Sequence, residues 1–429
     1  MALRLNAADA DFDTAFDAYV NRDRDGGADV SNVVREVMAK VRADGLEAVR
    51  AYTTKFDQFE LTDENLRVRA EEIDRAESDC DPDELEALDF AAERIQAYHE
   101  KQLPEDLRYT DDQGVILGWR WTCVDAAGLY VPGGRAAYPS SVLMNAIPAK
   151  VAGVKRLAMA SPAPKGEMNP LVLAAAKRAG IDEIYRIGGA QAVAALAYGA
   201  GPIAPVDVIV GPGNAWVAEA KRQVFGTVGI DSVAGPSEIL VVADGKNDPQ
   251  WIAADLLSQA EHDPSSQSIL ITDDAAFADK VAVAVDEQLV QSQRREIAEA
   301  AWKNNSAIIV VASLNDAPVL IDSIAPEHLE LAVDHPEPIL KKVRHAGAIF
   351  LGRYTPEAVG DYVAGPDHVL PTARAARYAS GLSVLDFMKR TSIIGCDAAV
   401  LKKIGPQAAR LADAEGLPSH AKSVRVRLK

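Results

Sequence analysis

The chain has 429 residues, room for roughly three domains at about 150 residues each. Its composition, 48% hydrophobic and 25% charged, excludes a disordered, collagen-like or disulfide-scaffold protein. With 63 acidic against 45 basic side chains the formal charge is −18, which excludes bulk electrostatic capture of nucleic acid or an anionic membrane.

Cys80, Cys123 and Cys396 form no CxxC pair and no zinc-finger spacing, which fits reduced thiols in a cytoplasmic protein. The N-terminus turns acidic before any long apolar core develops, so no signal peptide is expected. The uncharged run from Ile187 to Val206 is broken by four glycines and two prolines. It reads as a strand, loop and helix rather than a membrane span.

In chain order, the first part reads as helical and acidic. Val33, Val34, Val37, Met38 and Val41 make one helical face, and Leu46, Val49, Tyr52 and Phe56 another. Asp81-Pro82-Asp83-Glu84 is a helix start: a capping carboxylate, proline in the first turn, then acids favoured by the dipole. From about residue 127 short β-rich runs alternate with helical ones. Strands are expected at 128–131, 156–160, 183–187 and 207–210, then at 239–242, 268–272, 307–311, 329–333 and 348–351. Helices are expected between them at 169–179, 190–198, 215–225, 249–261 and 336–344. Such alternation implies parallel sheet covered on both faces, and two runs imply two incomplete, doubly wound, Rossmann-like α/β units. Beyond Leu385 mainly helical segments are expected, ending in an edge strand at Val424–Leu428, where apolar and basic residues alternate.

Ligands in open α/β sheets gather at the carboxyl ends of strands. Three glycine-rich loops follow expected strands: Val131-Pro132-Gly133-Gly134-Arg135, Gly188-Gly189-Ala190-Gln191 and Gly211-Pro212-Gly213-Asn214. The last two open straight into helices, whose N-termini suit a phosphate. None completes GxGxxG, and tight turns alone would also account for the glycines.

Of seven histidines, His99, His335 and His345 read as structural. His262 closes an amphipathic helix with Gln259 three residues earlier, on one face. Glu327-His328 stands at a strand entry, where histidine can take a hydroxyl proton and glutamate can activate water. Asp361 and His368 lie in a Gly/Pro loop, and Glu415 and His420 in a polar loop near the C-terminus. Gln259, His262, Asp361 and His420 would make a mixed N/O set suited to a catalytic zinc, although spacing alone does not bring them together.

Together these segments resemble the histidinol dehydrogenase family. The resemblance rests on GLYVPGGRAAYPSS, GGAQA, GPGNAWV, AGPSEIL, DLLSQAEHD, APEHLEL, GRYTPEAVGDYVAGPDHVLPT, SGLSVLDFMKR and EGLPSHAKSV, in family order from about residue 128 to the C-terminus. It implies one zinc per subunit on Gln259, His262, Asp361 and His420, and Glu327 and His328 as the acid–base pair. Substrate contacts would come from Ser237, Gln259, His262, His328, Asp361, His368, Glu415 and His420. NAD contacts would come from Tyr130, Gln191 and Asn214. Asp367 stands where family members often carry Asn.

The implied reaction takes L-histidinol through the aldehyde to L-histidine with two NAD. The implied assembly is a homodimer whose C-terminal tail carries Glu415 and His420 into the neighbour's site. The domain division expected is a helical arm (1–24), a unit bearing metal and catalytic residues (25–127 plus 237–381), a cofactor unit (128–236) and a docking tail (382–429). A sister dehydrogenase for another small alcohol or diol, a zinc hydrolase, and a non-catalytic zinc-stabilised binding protein are the alternatives. NADH formation from histidinol, compared with simple diols, separates them.

Overall fold

Three sheets organise the described residues. The computed structural model describes residues 2–22, 30–133, 138–181, 183–233 and 235–428; Gly134 and Arg135 of the first glycine-rich loop lie outside the described residues. A six-stranded parallel sheet runs in the order Leu3–Asn6, Ala307–Val310, Gln267–Thr272, Glu238–Ala243, His328–Ala332, Ala348–Leu351. A five-stranded parallel sheet runs in the order Glu183–Tyr185, Arg156–Ala160, Ala126–Tyr130, Val208–Val210, Gly229–Ile230. Both are buried on two faces, which is why their strands read as continuous apolar runs.

In the six-stranded sheet one face packs on helices Pro249–Ala260, Ala275–Gln291 and Arg295–Asn305. The other packs on Phe12–Val20 and Ala317–Ile324. The expected N-terminal arm is therefore no arm. Leu3–Asn6 is an edge strand of this sheet, and Phe12, Phe16 and Tyr19 bury against it.

The helices of residues 31–99, grouped from sequence with residues 237–381, pack elsewhere. Ser31–Asp44 and Leu46–Asp57 cover one face of the five-stranded sheet beside Gly189–Tyr198 and Ala215–Val224. Ala70–Ser78 and Pro82–His99 cover the other beside Pro139–Val151 and Pro170–Arg178. Their apolar stripes specify burial, and nothing local says against which sheet.

The C-terminal region departs most from expectation. A strand, Met388–Gly395, follows Leu385 and pairs antiparallel with Ile116–Cys123, which in turn pairs with Leu107–Thr110. Helices Ala398–Ala414 and Pro418–Arg425 then pack on each other. The expected strand at Val424–Leu428 is corrected to the end of the helix Pro418–Arg425 and the turn after it. The last turn of the helix and the turn that follows it bring Val424 and Leu428 over Gly405, where a Cβ would meet Val424 Cγ1 at 3.0 Å and Leu428 Cδ2 at 3.3 Å. Arg425 pairs with Asp413 across the same turn. The expected helix at 336–344 is shorter, Glu337–Leu340. Among the described residues no helix is long and apolar enough to cross a membrane.

Candidate active site

A cavity of about 910 Å³ opens between the two parallel sheets. Ten of the twelve residues singled out from sequence line it: Tyr130, Gln191, Asn214, Ser237 and Gln259, with His262, Glu327, His328, Asp361 and His368. Glu415 and His420 do not. Both are solvent-exposed, at the end of Ala398–Ala414 and in Pro418–Arg425.

The cavity meets the two sheets at opposite edges. Tyr130 ends its strand, and the Gly211 loop follows Val208–Val210, so this side is the carboxyl edge, at the point where strand order reverses. Ser237, Glu327 and His328 instead stand where Glu238–Ala243 and His328–Ala332 begin. Helix Pro249–Ala260 returns across the sheet and delivers Gln259 and His262 to the same amino edge. The expectation that ligand groups collect at carboxyl ends holds for the first sheet and is corrected for the second.

On the first side two helices begin at the cavity. The Tyr130 hydroxyl accepts the Gly189 N–H at 3.1 Å, and burial pushes its pKa up to about 12. Asn214 caps Ala215–Val224, its Oδ1 accepting from Trp216 and Val217. Gly211 has a φ of 115° and lies so close to Tyr130 that a Cβ would stand 2.1 Å from its carbonyl oxygen; only glycine fits. The loop is locked from behind: Lys221 donates to Gly211 O at 2.9 Å and Asp231 accepts Gly211 N–H at 2.8 Å. Lys221 and Asp231, themselves a buried ion pair, carried no sequence signal.

On the second side His328 is enclosed by acids. Its Nδ1 lies 2.9 Å from Glu238 O, a carbonyl that only accepts, and 2.9 Å from Gln259 Nε2. Nε2 has no hydrogen-bond partner among the described residues, with Asp361 Oδ1 at 3.6 Å and Glu357 Oε1 at 3.8 Å. Burial by itself would lower the imidazole pKa. Glu357, Glu327 and Asp361 outweigh it and raise the pKa well above the ordinary value, so they favour the charge that appears when His328 takes a proton. Glu327 Oε2 accepts the Glu238 N–H at 2.9 Å, and burial pushes its carboxyl up to about 8. A carboxyl poised there can take or give a proton near neutral pH.

His368 donates from Nδ1 to Asp361 O at 2.9 Å, and its Nε2 lies 3.2 Å from the Ser141 hydroxyl. It therefore holds Asp361 in place. Sequence reasoning missed Glu357 and Glu330, buried acids behind His328, and the half-buried Asp255 beside them. Glu357 N–H donates to Glu330 Oε1 at 2.6 Å, and Glu330 lies against Asp255. An acid inside the apolar strand run HLELA was the available signal for Glu330.

The donor set fits a cation. Gln259 is 1% exposed and its amide nitrogen reaches Glu238 O at 3.3 Å, while its carbonyl oxygen receives no hydrogen bond among the described residues. Gln259, His262 and Asp361 share the cavity, and neutral amide, imidazole and carboxylate donors suit zinc. Among the described residues His328, Glu357 and Asp361 also bring one donor atom each within 4.8 Å of the others. Asp361 belongs to both groupings.

A family model described as histidinol dehydrogenase matches residues 20–428. The histidinol dehydrogenase of Rhodospirillum rubrum is 62% identical over 429 residues, covering 100% of this chain and 99% of the relative. That of Caulobacter vibrioides is 60% identical, covering 99% of each. The crystal structure of histidinol dehydrogenase from Elizabethkingia anophelis superposes with a TM-score of 0.94 at 35% identity, covering 100% of this chain and 98% of that one.

Proposed function

The chain belongs to the histidinol dehydrogenase family, and from that premise we propose how its own side chains divide the work. It is an NAD- and zinc-dependent oxidoreductase of histidine biosynthesis. Its reaction takes L-histidinol through L-histidinaldehyde to L-histidine. When bound, zinc supplies a cationic anchor for the substrate's imidazole and amine, and NAD supplies the hydride acceptor.

Gln259, His262 and Asp361 hold the metal within the chain. His328 Nε2 takes the hydroxyl proton as hydride departs, and the surrounding carboxylates stabilise the imidazolium. Glu327 then deprotonates the water that attacks the aldehyde, so a second hydride can leave. Ser237 and His368 orient the substrate from the cavity wall, and holding the aldehyde between the steps keeps a reactive carbonyl from solvent. Tyr130, Gln191 and Asn214 face the dinucleotide, whose pyrophosphate suits the two helix N-termini.

Glu415 and His420 complete the substrate pocket and the metal set from the partner subunit of a cytoplasmic homodimer. Their exposure on a helical pair outside their own cavity supports this reading. The observation that carries the whole proposal is convergence: ten side chains drawn from residues 130 to 368 share one cavity. The test is stoichiometry. Two NADH per histidinol, abolished by a chelator and restored by zinc, is the expected result. Turnover that survives complete metal removal would overturn it.

A further inference from the structure

Three candidate site residues come from three separate elements: Gln259 from the helix Pro249–Ala260, Asp361 from the short helix Glu357–Tyr362, and His328 from the start of its strand. One buried side chain ties these elements together. Glu330 stands two residues after His328, so both side chains leave the sheet on the same face. Ala332, also on that face, belongs to the core built with Ile252, Ala253 and Leu256, so the face is turned toward Pro249–Ala260.

Glu330 is 3% exposed, and a carboxyl so placed is costly unless it is hydrogen-bonded. Its Oε1 accepts the Glu357 N–H at 2.6 Å. The residue before that helix is Pro356, which offers no side-chain cap, so Glu330 supplies the cap from the sheet. Asp361 follows Glu357 by four residues, one turn on, and its height is set by that first turn. The Asp255 carboxyl hydrogen-bonds to that of Glu330, and two carboxyls bond only around a proton. Asp255 precedes Gln259 by one turn of Pro249–Ala260. Ser258 Oγ donates to Asp255 O at 2.7 Å and lies 3.4 Å from Glu357 Oε2, closing the contact between the two helices. Glu330, Asp255 and Glu357 do not line the cavity.

We propose that Glu330 is a positioning residue that spaces the helix of Asp361 and the helix of Gln259 against the strand of His328 and so sets the geometry of the zinc site. The inference rests on the assignment of zinc to Gln259, His262 and Asp361. What matters is the reach of the side chain, because the Glu357 N–H and the Asp255 carboxyl must be met at once. Glutamine has that reach, with an amide oxygen for the first and an amide nitrogen for the second. Aspartate keeps the acid and is one methylene too short.

The test is transfer of zinc from the holoenzyme to a chromophoric chelator, with kcat measured at saturating zinc and NAD affinity by calorimetry. Glu330→Asp is expected to hold zinc about tenfold more weakly and to lose about tenfold in kcat. Glu330→Met, which fills the space without an acceptor, is expected to do the same. Glu330→Gln is expected to keep both near native. NAD affinity is expected to stay native in all three, which general loosening of the fold would not allow. Native zinc affinity in both Glu330→Asp and Glu330→Met would overturn the proposal. So would a loss in Glu330→Gln equal to theirs, which would make the acid the point. Asp361→Ala separates the two readings. If it weakens zinc while Glu330→Asp and Glu330→Met do not, only this inference falls. If Asp361→Ala leaves zinc affinity native, the ligand assignment itself falls.

Discussion

Gln259 Nε2 lies 2.9 Å from His328 Nδ1, and both nitrogens reach the carbonyl oxygen of Glu238, at 3.3 and 2.9 Å. A candidate metal ligand and the candidate base thus share one backbone anchor. Gln259→Glu keeps an oxygen donor for the metal but turns a second oxygen on that carbonyl. The expected outcome is retained zinc with kcat lowered by ~10²-fold through misplacement of His328. Metal analysis beside turnover checks it, and a native rate in the zinc-loaded variant would refute the shared anchor.

Glu327→Gln separates the two oxidations. The amide oxygen can still accept the Glu238 N–H, now at 2.9 Å, so the strand entry stays in place. Loss of the base slows water attack by about 10²–10⁴-fold and leaves the alcohol step less affected. NADH yield per histidinol should fall from two toward one, with the aldehyde recovered by a carbonyl trap. Equal slowing of both steps would remove Glu327 from its role.

His262 lines the cavity, and His420 is exposed on a terminal helix. If the tail completes the partner's site, His262→Ala and His420→Ala each inactivate the homodimer. Mixed dimers regain one complete site, built from the His420→Ala core and the tail of the His262→Ala chain. Co-expression of the two variants should restore activity absent from either alone. No recovery in purified mixed dimers would place all ligands within one chain.

His99 Nε2 and Asp367 Oδ2 face each other at 3.9 Å, both buried and both without a hydrogen-bond partner among the described residues. His99 Nδ1 is committed to Gln102 Oε1 at 2.7 Å, so Nε2 is an acceptor and Asp367 must bring the proton. Burial raises the Asp367 pKa well above the carboxylate range and lowers that of His99. Stability from the protonated Asp367 is full below the ordinary Asp range. It is lost as pH rises through the raised folded value, at up to ~1.4 kcal/mol per pH unit. Asp367→Asn supplies a permanent donor, so its urea midpoint should decline less between pH 5 and 9 than that of the native chain. Parallel profiles would refute a proton held on this pair.

Much of the fold was legible because its signals are local. The strands Arg156–Ala160 and Ala348–Leu351 are bounded as their apolar runs predict, and Asp81 caps the helix that its sequence announces. At His328 the reading was one residue late. The strand starts at His328 itself, which sets the imidazole in the sheet edge rather than in a turn before it. The tail was misread because an alternating hexapeptide fits a strand pattern, while Val424 and Leu428 also fit a helix once Gly405 lies opposite.

Residue order alone determined the alternation of parallel strands and helices, the glycine turns and the set of side chains able to hold a metal and move protons, because each is written within a few neighbouring positions. Tertiary structure decided that the candidate pair Glu327 and His328 sits at the amino edge of one sheet while the glycine-rich loops sit at the carboxyl edge of the other. It also decided that Glu357 stands beside His328 with Glu330 behind it, that Asp57 Oδ2 is buried without a hydrogen-bond partner among the described residues, and that residues 31–99 cover the five-stranded sheet. Those outcomes depend on burial and on contacts between segments tens to hundreds of residues apart, and hydrophobic period carries no record of which distant partner a face will meet.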